Sequence, residues 1–498
     1  MWNGRQAIWR AGYLILVAGA LYAAFVDKTY DDPYITYRYA DNLAHGLGFV
    51  YNQGERVLST TTPLFTLILA GIAQVTPDLP HAANLIGAFS LAGGALLIWE
   101  LARDGNRPAV GYAGLVLYPA FPLLTTTLGS EMPLLILLCL GAFVLYRKKR
   151  LAGCAACVGL AVVARPDAIL AAAVLLADTV VSWLQISRSG QVAASRTIAQ
   201  NLRAVMPAVS LFLLITGAWF GFAWVYFGNP LPVTLMVKQA QGSMVSSELF
   251  LPGILTIWRD YLPDVFKWCA LGFVILGLAS VPGRDAKVPE IWLLLITWTG
   301  LYVATYALLG VTRYFWYYAP LVVLFVIAIG LGLDTAARLV NKLAAGQAPL
   351  FGRLVVVISV TGLGWAGVYP ALQARQQNDQ RVMVYRAIGE WLRGNTNSRA
   401  TVATLEAGII GFYAQRSLVD FAGLIRPDVA RQFSPSTTYD DAAVWALDRY
   451  RPEYIVLRTG TMQRLEGWVL DHGCSPAKQF PGTSYSYIGD MIVYSCRP

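Results

Sequence analysis

Two adjacent acidic residues, Asp31 and Asp32, are the strongest candidates for chemistry in this chain, and they follow its first apolar run. Neighbouring carboxylates raise each other's pKa, which suits a general base that accepts a proton from a hydroxyl group. Aspartate is also a preferred residue at the start of a helix, and capping needs only one of the two acids. The pair therefore predicts either a catalytic base or a helix cap.

Basic residues beside apolar runs form a second group of candidates. Arg165, Lys238 and Arg313 each stand next to a predicted membrane helix, where such cations would hold the phosphate of a membrane lipid. Simpler interpretations also fit these segments. Glu131 stands at a helix start that it could cap, Asp167 could pair locally with Arg165, and an aromatic belt follows Arg313.

Several other chemistries find no support in the residue pattern. The three histidines, His45, His81 and His472, are far apart and show no metal-type spacing with each other or with the six cysteines. The loop that carries Glu131 has no Asp-x-Asp pair, and the chain has no P-loop and no Gly-x-Ser-x-Gly motif. We therefore expect neither a bound metal nor a cofactor.

The composition places the elements that must position these residues in a lipid bilayer. Of 498 residues, 56% are apolar and only 13% are charged, and the mean hydropathy is +0.51. Globular domains carry about 25% charged residues. This composition excludes a soluble enzyme and a disordered chain. The formal net charge of +9 is scattered between apolar runs and not gathered into one stripe, which excludes a nucleic-acid binder.

Apolar runs near the length of a bilayer predict about eleven crossings. The run at 63–75 has only about thirteen residues, below the roughly 17 that a spanning helix needs, so we expect it to be interfacial or re-entrant. Arg5 and Arg10 precede the first run and no small-residue cleavage site follows it, which predicts a retained anchor. The predicted crossings are 8–26, 83–101, 109–128, 132–146, 151–164, 168–186, 205–226, 268–281, 290–309, 318–333 and 353–370.

The distribution of Lys and Arg predicts the orientation of these helices in a cell (inner or plasma) membrane. The segments that share a side with the N-terminus hold 16 of them, against eight in the longer loops of the other side before residue 371. The positive-inside rule then places the N-terminus in the cytoplasm. The first outer loop, about 27–82, the helix start at Glu131 and the C-terminal segment would lie outside.

The last 128 residues, 371–498, differ in composition, with 14 Lys/Arg and 12 Asp/Glu and short alternating patterns typical of a soluble α/β domain. We predict two domains, 1–370 in the membrane and 371–498 outside the cell. An outward location would let Cys474 and Cys496 form a disulfide. The predicted elements are helices at 379–393, 406–414 and 440–450 and strands at 400–405, 417–420, 454–458 and 484–495.

The first outer loop has helical spacing from Asp32 onward, which predicts an amphipathic helix along the membrane surface. Glycines at 46 and 48 would end it. One predicted face carries Ile35, Tyr39 and Leu43, and the other carries Arg38, Asn42 and His45.

Several blocks of sequence together resemble the GT-C membrane glycosyltransferases. That family uses polyprenyl-phosphate sugars and includes protein O-mannosyltransferases and lipid A aminoarabinose transferases. The similarity is closest to the branch of mycobacterial terminal arabinofuranosyltransferases. The most specific block is Asp31-Asp32-Pro33-Tyr34-Ile35 through Arg38-Tyr39-Ala40, and the others are 46–52, 54–57, 62–64, 130–134, 165–167, 230–234 before Lys238, 406–408 and 419–420.

The resemblance implies a GT-C fold in which Asp31 is the catalytic base with Asp32 beside it. It implies an inverting transfer of one sugar, of arabinofuranose or mannose type, from a polyprenyl phosphate to a hydroxyl of an extracytoplasmic glycan, lipid or protein. The stretch 58–61 departs from the Glu-Gly-Tyr-like sequence common in relatives, which bears on the acceptor more than on the fold. The candidates for binding the donor phosphate or sugar are Arg165, Lys238, Arg313, Tyr34, Arg38 and Glu131.

Two alternatives remain. A lipid-sugar flippase or other polytopic transporter would also be apolar and basic on its inner side, but transporters usually bury ionisable groups at mid-membrane depth. Here the acids of interest stand at helix ends on one side. The outer domain could also simply present glycans, with the membrane part as its anchor.

Overall fold

The fold is that of a polytopic helical membrane protein with a small α/β unit at its C-terminal end, as predicted. The computed structural model describes residues 4–105, 107–188, 194–280, 290–343, 350–374 and 380–496. Before the sheet, the α-helices are Gly4–Phe25, Asp31–Ala44, Pro63–Ala73, Leu79–Asp104, Pro108–Val116, Pro122–Thr125, Met132–Arg147, Leu151–Ala164, Ile169–Arg188, Ala194–Phe227, Thr234–Gly242, Phe250–Tyr261, Asp264–Ser280, Glu290–Leu309, Leu321–Leu343 and Leu350–Ala374. Short 3₁₀ helices occupy Pro166–Ala168 and Phe315–Tyr318.

Seven helices in the described part of the chain are long and apolar enough to cross a membrane. Each corresponds to one of the predicted crossings. The seven are Gly4–Phe25, Leu79–Arg103, Pro166–Leu184, Arg203–Phe227, Ile291–Leu309, Leu321–Leu343 and Leu350–Pro370.

The other predicted crossings are shorter or broken. The run at 109–128 is not one helix: it ends at Val116 and resumes only for Pro122–Thr125, because Pro119 and Pro122 lack the N–H that a continuing helix needs. The runs at 132–146 and 151–164 form helices of 16 and 14 residues, and 268–280 falls in a helix of 17, while position 281 lies outside the described residues. The total of about eleven crossings, and the interfacial position of 63–75, stay predictions.

A cluster of charges connects three of the segments predicted to lie on the cytoplasmic side. Glu100 accepts hydrogen bonds from Arg10 at 2.5 Å and from Lys148 at 2.6 Å, and its side chain is almost fully buried. These residues belong to the first helix, the end of the helix Leu79–Asp104 and the basic stretch after Arg147. Their contact supports the predicted shared side.

The C-terminal unit is built on a five-stranded sheet with strand order β2-β1-β3-β5-β4. The strands β1, β2 and β3 are parallel, whereas β5 runs antiparallel to both β3 and β4. The strands are β1 Thr401–Thr404, β2 Ser417–Asp420, β3 Tyr454–Arg458, β4 Ser475–Phe480 and β5 Met491–Ser495. The helices are Gln380–Asn395, Ile409–Ala414, Pro427–Ala430, Tyr439–Tyr450 and Gln463–Asp471, with a 3₁₀ helix at Gly482–Tyr485.

The sequence predicted the parallel half of this sheet better than the antiparallel half. It missed the helix Gln463–Asp471 and strand β4, and it made the last strand too long, because 484–490 contains a 3₁₀ turn and a loop. All residues of β4 except Phe480 are exposed, so the strand carries no alternating apolar pattern. Cys474 and Cys496, which flank β4 and β5, form a disulfide, as the predicted outward location would allow.

The helix Asp31–Ala44 lies between the membrane helices and the sheet. Its apolar residues share one core cluster with the C-terminal unit. Most of the predicted polar face is shielded from water: Arg38 and Asn42 are buried, and Arg38 donates hydrogen bonds to the carbonyls of Gly411 and Arg416, at 2.7 and 2.5 Å. His45, just after the end of the helix, is exposed. The body of the helix is therefore covered on both faces, which a surface amphipathic helix would not be.

Candidate active site

The two adjacent acids point to different surroundings. The Asp31 carboxylate accepts the main-chain N–H groups of Gly408 and Ile409, both at 2.8 Å, at the start of the helix Ile409–Ala414. The Asp32 carboxylate instead lines a cavity of about 300 Å³ among the membrane helices. Successive helix residues point about 100° apart, so neighbouring side chains readily serve different partners. Asp31 caps a helix of the C-terminal unit, and Asp32 faces the cavity.

Lys238 lies opposite Asp32 in this cavity. Its Nζ is 3.6 Å from Asp32 Oδ2 and 3.6 Å from the centre of the Tyr314 ring. The helix that carries it begins just after a Pro-x-Pro segment, which is fixed by a 3.0 Å hydrogen bond from Val233 N–H to the Leu58 carbonyl. The lysine side chain is only 7% exposed, so its charge is held close to the cavity wall.

Arg165 organises the other end of the cavity. It donates to Glu131 at 2.8 Å and to Asp167 at 3.1 Å, and a third hydrogen bond reaches the hydroxyl of Tyr306. That hydroxyl in turn donates to Asp167 at 2.6 Å. Among the described residues, three carboxyl side chains, including Asp32, and two cationic side chains, including Lys238, line the cavity, which leaves a negative excess.

Hydroxyl groups form a further wall. Thr36, Thr60 and Thr62 lie within 3.0–3.3 Å of one another. Two more cavity hydroxyls, of Ser59 and Thr234, are buried and have no hydrogen-bond partner in the described part of the chain. A buried polar atom without a partner costs about 1–3 kcal/mol, so this wall is suited to a ligand that supplies hydrogen bonds.

The rim of the cavity is apolar and exposed. Ile169, Leu231 and Leu235 all line it and are 46%, 51% and 42% exposed. Large exposed apolar side chains around a polar cavity indicate contact with a lipid or another apolar partner. The cavity thus joins a charged, hydroxyl-lined interior to a surface suited to a hydrocarbon chain.

The structure does not bring every predicted site residue to this cavity. Asp32, Glu131, Arg165 and Lys238 line it. Asp31 lies behind it, at the contact with the C-terminal unit.

Three of the predicted donor-binding residues lie elsewhere. Tyr34 packs against Phe412 and Tyr37. Arg38 is buried and bonded to main-chain carbonyls, and Arg313 pairs with Glu248 at 2.6 Å. These three residues are not among the described residues that line the cavity, and their part in donor binding stays a prediction.

Other cavity residues were not singled out as site residues from the sequence. They are Tyr30, Thr36, Ser59, Thr60, Thr62, Thr234, Tyr306, Trp316 and Tyr317. The clearest sequence signal for them was the Ser/Thr run at 59–62 before Pro63, which overlaps the stretch 58–61 that departs from the resembled family. Single hydroxyl and aromatic residues within apolar runs are too common to be recognised as site residues.

Three acids near the contact between the helix Asp31–Ala44 and the sheet have a raised pKa. Removal from water raises the pKa of Asp31 and of Glu406, which lie close enough to repel each other. Burial also raises the pKa of Asp420 to about 7, although three main-chain N–H groups lower it in part. This contact therefore concentrates carboxyl groups in poorly hydrated surroundings.

Comparison with known proteins adds fold information. A family model described as "Domain of unknown function (DUF8728)" matches residues 370–494. The structure is similar to that of ArnT from Cupriavidus metallidurans bound to undecaprenyl phosphate, with a TM-score of 0.62, 13% identity, and 97% of each chain covered. The same ArnT in the apo state gives a TM-score of 0.57 and 14% identity, over 99% of this chain and 98% of that one. No curated protein matches the chain significantly by sequence.

ArnT is a GT-C glycosyltransferase, and the likeness extends over nearly the whole chain. The protein therefore has the GT-C fold and is a multi-pass membrane protein, as the resemblance implied. Identities of 13–14% establish the fold alone. What the protein does has to be argued from its own cavity.

Proposed function

We propose that the protein is a glycosyltransferase that moves a single sugar from a polyprenyl phosphate to a hydroxyl group outside the membrane. The observation that carries this proposal is the cavity shared by Asp32 and Lys238, whose charged groups lie 3.6 Å apart beneath an exposed apolar rim. A lipid-linked sugar has the matching parts: a hydrocarbon chain, a phosphate and a ring of hydroxyls. The ArnT structure with bound undecaprenyl phosphate has the same fold, which agrees with this assignment.

In the proposed reaction, Asp32 acts as general base. It takes the proton of the acceptor hydroxyl while the acceptor oxygen attacks the anomeric carbon and the bond to phosphate breaks, with inversion. We assign this part to Asp32 rather than to Asp31, because the Asp31 oxygens already accept two main-chain N–H groups. The excess of carboxyl groups in the cavity suits the positive charge that develops on the sugar ring.

Lys238 is the proposed partner of the departing phosphate. In the structure it neutralises Asp32, and an arriving phosphate would compete for its ammonium group and leave the carboxylate to act as a base. Arg165 has three of its donor groups engaged by Glu131, Asp167 and Tyr306. We infer that Arg165 fixes the shape of the site and adds positive potential rather than giving up these bonds.

The hydroxyl wall is the proposed location of the sugar ring. The unpartnered hydroxyls of Ser59 and Thr234 can each donate and accept, which matches the hydroxyl groups of a neutral sugar. An arabinofuranose or a mannose would satisfy them. The acceptor, in the cell-envelope material, would approach from the side of the C-terminal unit, where Leu424 reaches the cavity.

The predicted orientation belongs to this proposal. We infer a cytoplasmic N-terminus in the cell membrane, with the site and the domain 371–498 outside, where polyprenyl-phosphate sugars would meet their acceptors. The disulfide between Cys474 and Cys496 agrees with an oxidising compartment. Cysteine labelling at exposed Lys28 and at Arg399, with a membrane-impermeant reagent in intact cells, tests the orientation.

The direct test of the activity is incubation of the purified protein with a panel of polyprenyl-phosphate sugars, with free polyprenyl phosphate as the readout. We expect release from one donor only. Release from none, combined with movement of a labelled lipid-linked sugar across vesicle membranes, would instead identify a flippase.

A further inference from the structure

A second cavity, which has no described lining residue in common with the first, lies in the C-terminal unit. Its volume is about 740 Å³, and it is formed where the parallel strands β1 and β3 end, at Thr404 and Arg458. In open α/β sheets, ligands bind in the crevice outside the carboxyl ends of the strands. Position alone therefore makes this cavity a candidate binding site.

One wall combines aromatic rings with charged groups. The hydroxyl of Tyr385 lies 3.3 Å from Glu406 Oε1 and 3.1 Å from the hydroxyl of Tyr487. The guanidinium group of Arg458 lies 5.9 Å from the centre of the Tyr487 ring. A ligand here would meet ring faces, a carboxylate and a guanidinium group within one surface.

The facing wall is held in place by a helix cap. The carboxylate of Asp440 accepts the main-chain N–H groups of Arg464 at 2.9 Å and Leu465 at 2.8 Å, at the start of the helix Gln463–Asp471. The Asp440 carboxylate is therefore engaged in capping this helix. The neighbouring Tyr439 lines the cavity and is only partly buried, so its ring can contact a ligand.

The two cavities lie on either side of the contact between the helix Asp31–Ala44 and the C-terminal unit. Asp32 lines the first cavity and Glu406 lines the second. Glu406 also stands two residues before Gly408, whose main-chain N–H donates a hydrogen bond to the Asp31 carboxylate. A ligand in the second cavity would therefore end close to the carboxylate that we assign as the base.

We propose that this second cavity binds the acceptor, and that the acceptor is a glycan; this inference rests on the proposed function. Tyrosine rings pack on the C–H faces of a sugar, while Glu406 and Arg458 hydrogen-bond its hydroxyls. A lipid acceptor would need an apolar path to the membrane helices. Within the described part of the chain, all lining residues of the second cavity except Ser246 belong to the C-terminal unit.

The test uses the purified full-length protein and short neutral arabino- and manno-oligosaccharides. Calorimetry measures their binding without donor, and transfer assays give KM and kcat with the lipid-linked donor. The variants are Y439A, Y487A and R458A, and the matched control is R399A, an exposed arginine before the opposite end of β1. Circular dichroism and thermal unfolding exclude a variant that has not folded.

We expect one oligosaccharide type to bind, and each of the three variants to weaken its binding and raise its KM about tenfold, with R399A like the wild type. Equal binding by wild type and all three variants would overturn the assignment of this cavity. Use of only a lipid or a peptide acceptor would overturn the glycan assignment. If no donor releases polyprenyl phosphate, the proposed function fails, while the calorimetry still decides whether the cavity binds a glycan.

Discussion

Asp31 and Gly408 are 377 positions apart in the chain, and the Asp31 carboxylate accepts the Gly408 N–H at 2.8 Å. A second N–H, of Ile409, reaches the same carboxylate. These hydrogen bonds connect the helix Asp31–Ala44 to the C-terminal unit, one residue before Asp32, which faces the cavity. The position of Asp32, the proposed base, therefore depends on the contact between the helix Asp31–Ala44 and the C-terminal unit.

The first prediction tests this contact with G408A. A Cβ at position 408 would collide with the main-chain oxygen of Asp31, so the variant must shift the helix Ile409–Ala414. We expect a loss of about 1–3 kcal/mol in stability and faster proteolysis at the contact. The control is G394A, where a Cβ meets no atom within 4 Å. Equal behaviour of the two variants would contradict a tight contact at this position.

The second prediction concerns the buried cluster around Arg165. Removal of its guanidinium group in R165A leaves Glu131 and Asp167 as unpaired acids in poorly hydrated surroundings. We expect a loss of about 3–5 kcal/mol in the free energy of unfolding, together with loss of transfer. R259A, which removes an exposed arginine paired with its neighbour, should change stability little. A stable R165A protein would show that the cluster does not hold the site together.

The sequence predicted some residues of this site but not their contacts with remote segments of the chain. The resemblance implied that Asp31 is the base with Asp32 beside it, whereas we assign the base to Asp32, because the partner of Asp31 lies in a segment 377 positions away that the local sequence does not reveal. Arg38 was expected at the donor and instead bonds the carbonyl of Gly411, which is equally remote. Of the three basic residues chosen beside membrane helices, Arg165 and Lys238 line the cavity and Arg313 pairs with Glu248, and a part for any of them in phosphate binding stays a prediction.

The apolar helices were predicted for a simpler reason: a membrane requires long apolar runs, which are visible in composition alone. The prediction was wrong at 109–128, where two prolines break the helix, and it missed β4, whose residues are mostly exposed. Long-range contacts and strands without apolar alternation leave no local pattern to read.

The third prediction concerns the disulfide. Cys474 and Cys496 are 22 positions apart, and their bond restrains the unfolded chain. We expect replacement of both by serine to lower the free energy of unfolding by about 2–4 kcal/mol, with a similar shift when the wild type is reduced. The variant C269S, at an exposed free cysteine, should unfold like the wild type. An unchanged midpoint after reduction would mean that the bond does not stabilise the fold.

The fourth prediction concerns pH. Burial raises the pKa of Asp420 to about 7, so the folded protein binds a proton there that the unfolded chain releases near pH 4. Stability from this group is therefore full at low pH and falls as pH rises toward 7. The melting temperature of D420N should decline less between pH 5 and 8 than that of the wild type. The same slope in both proteins would exclude Asp420 as its source.

The most direct test of the central claim compares D32N with D31N in the purified protein. Both substitutions keep the side-chain size and replace a carboxyl group by a neutral amide. The assay measures the rate of sugar transfer and, separately, the affinity for the polyprenyl-phosphate donor. The account predicts that D32N lowers the transfer rate by about 10²- to 10⁴-fold while the donor still binds. It predicts that D31N chiefly lowers stability. Normal transfer by D32N, with transfer abolished in a stable D31N protein, would contradict it.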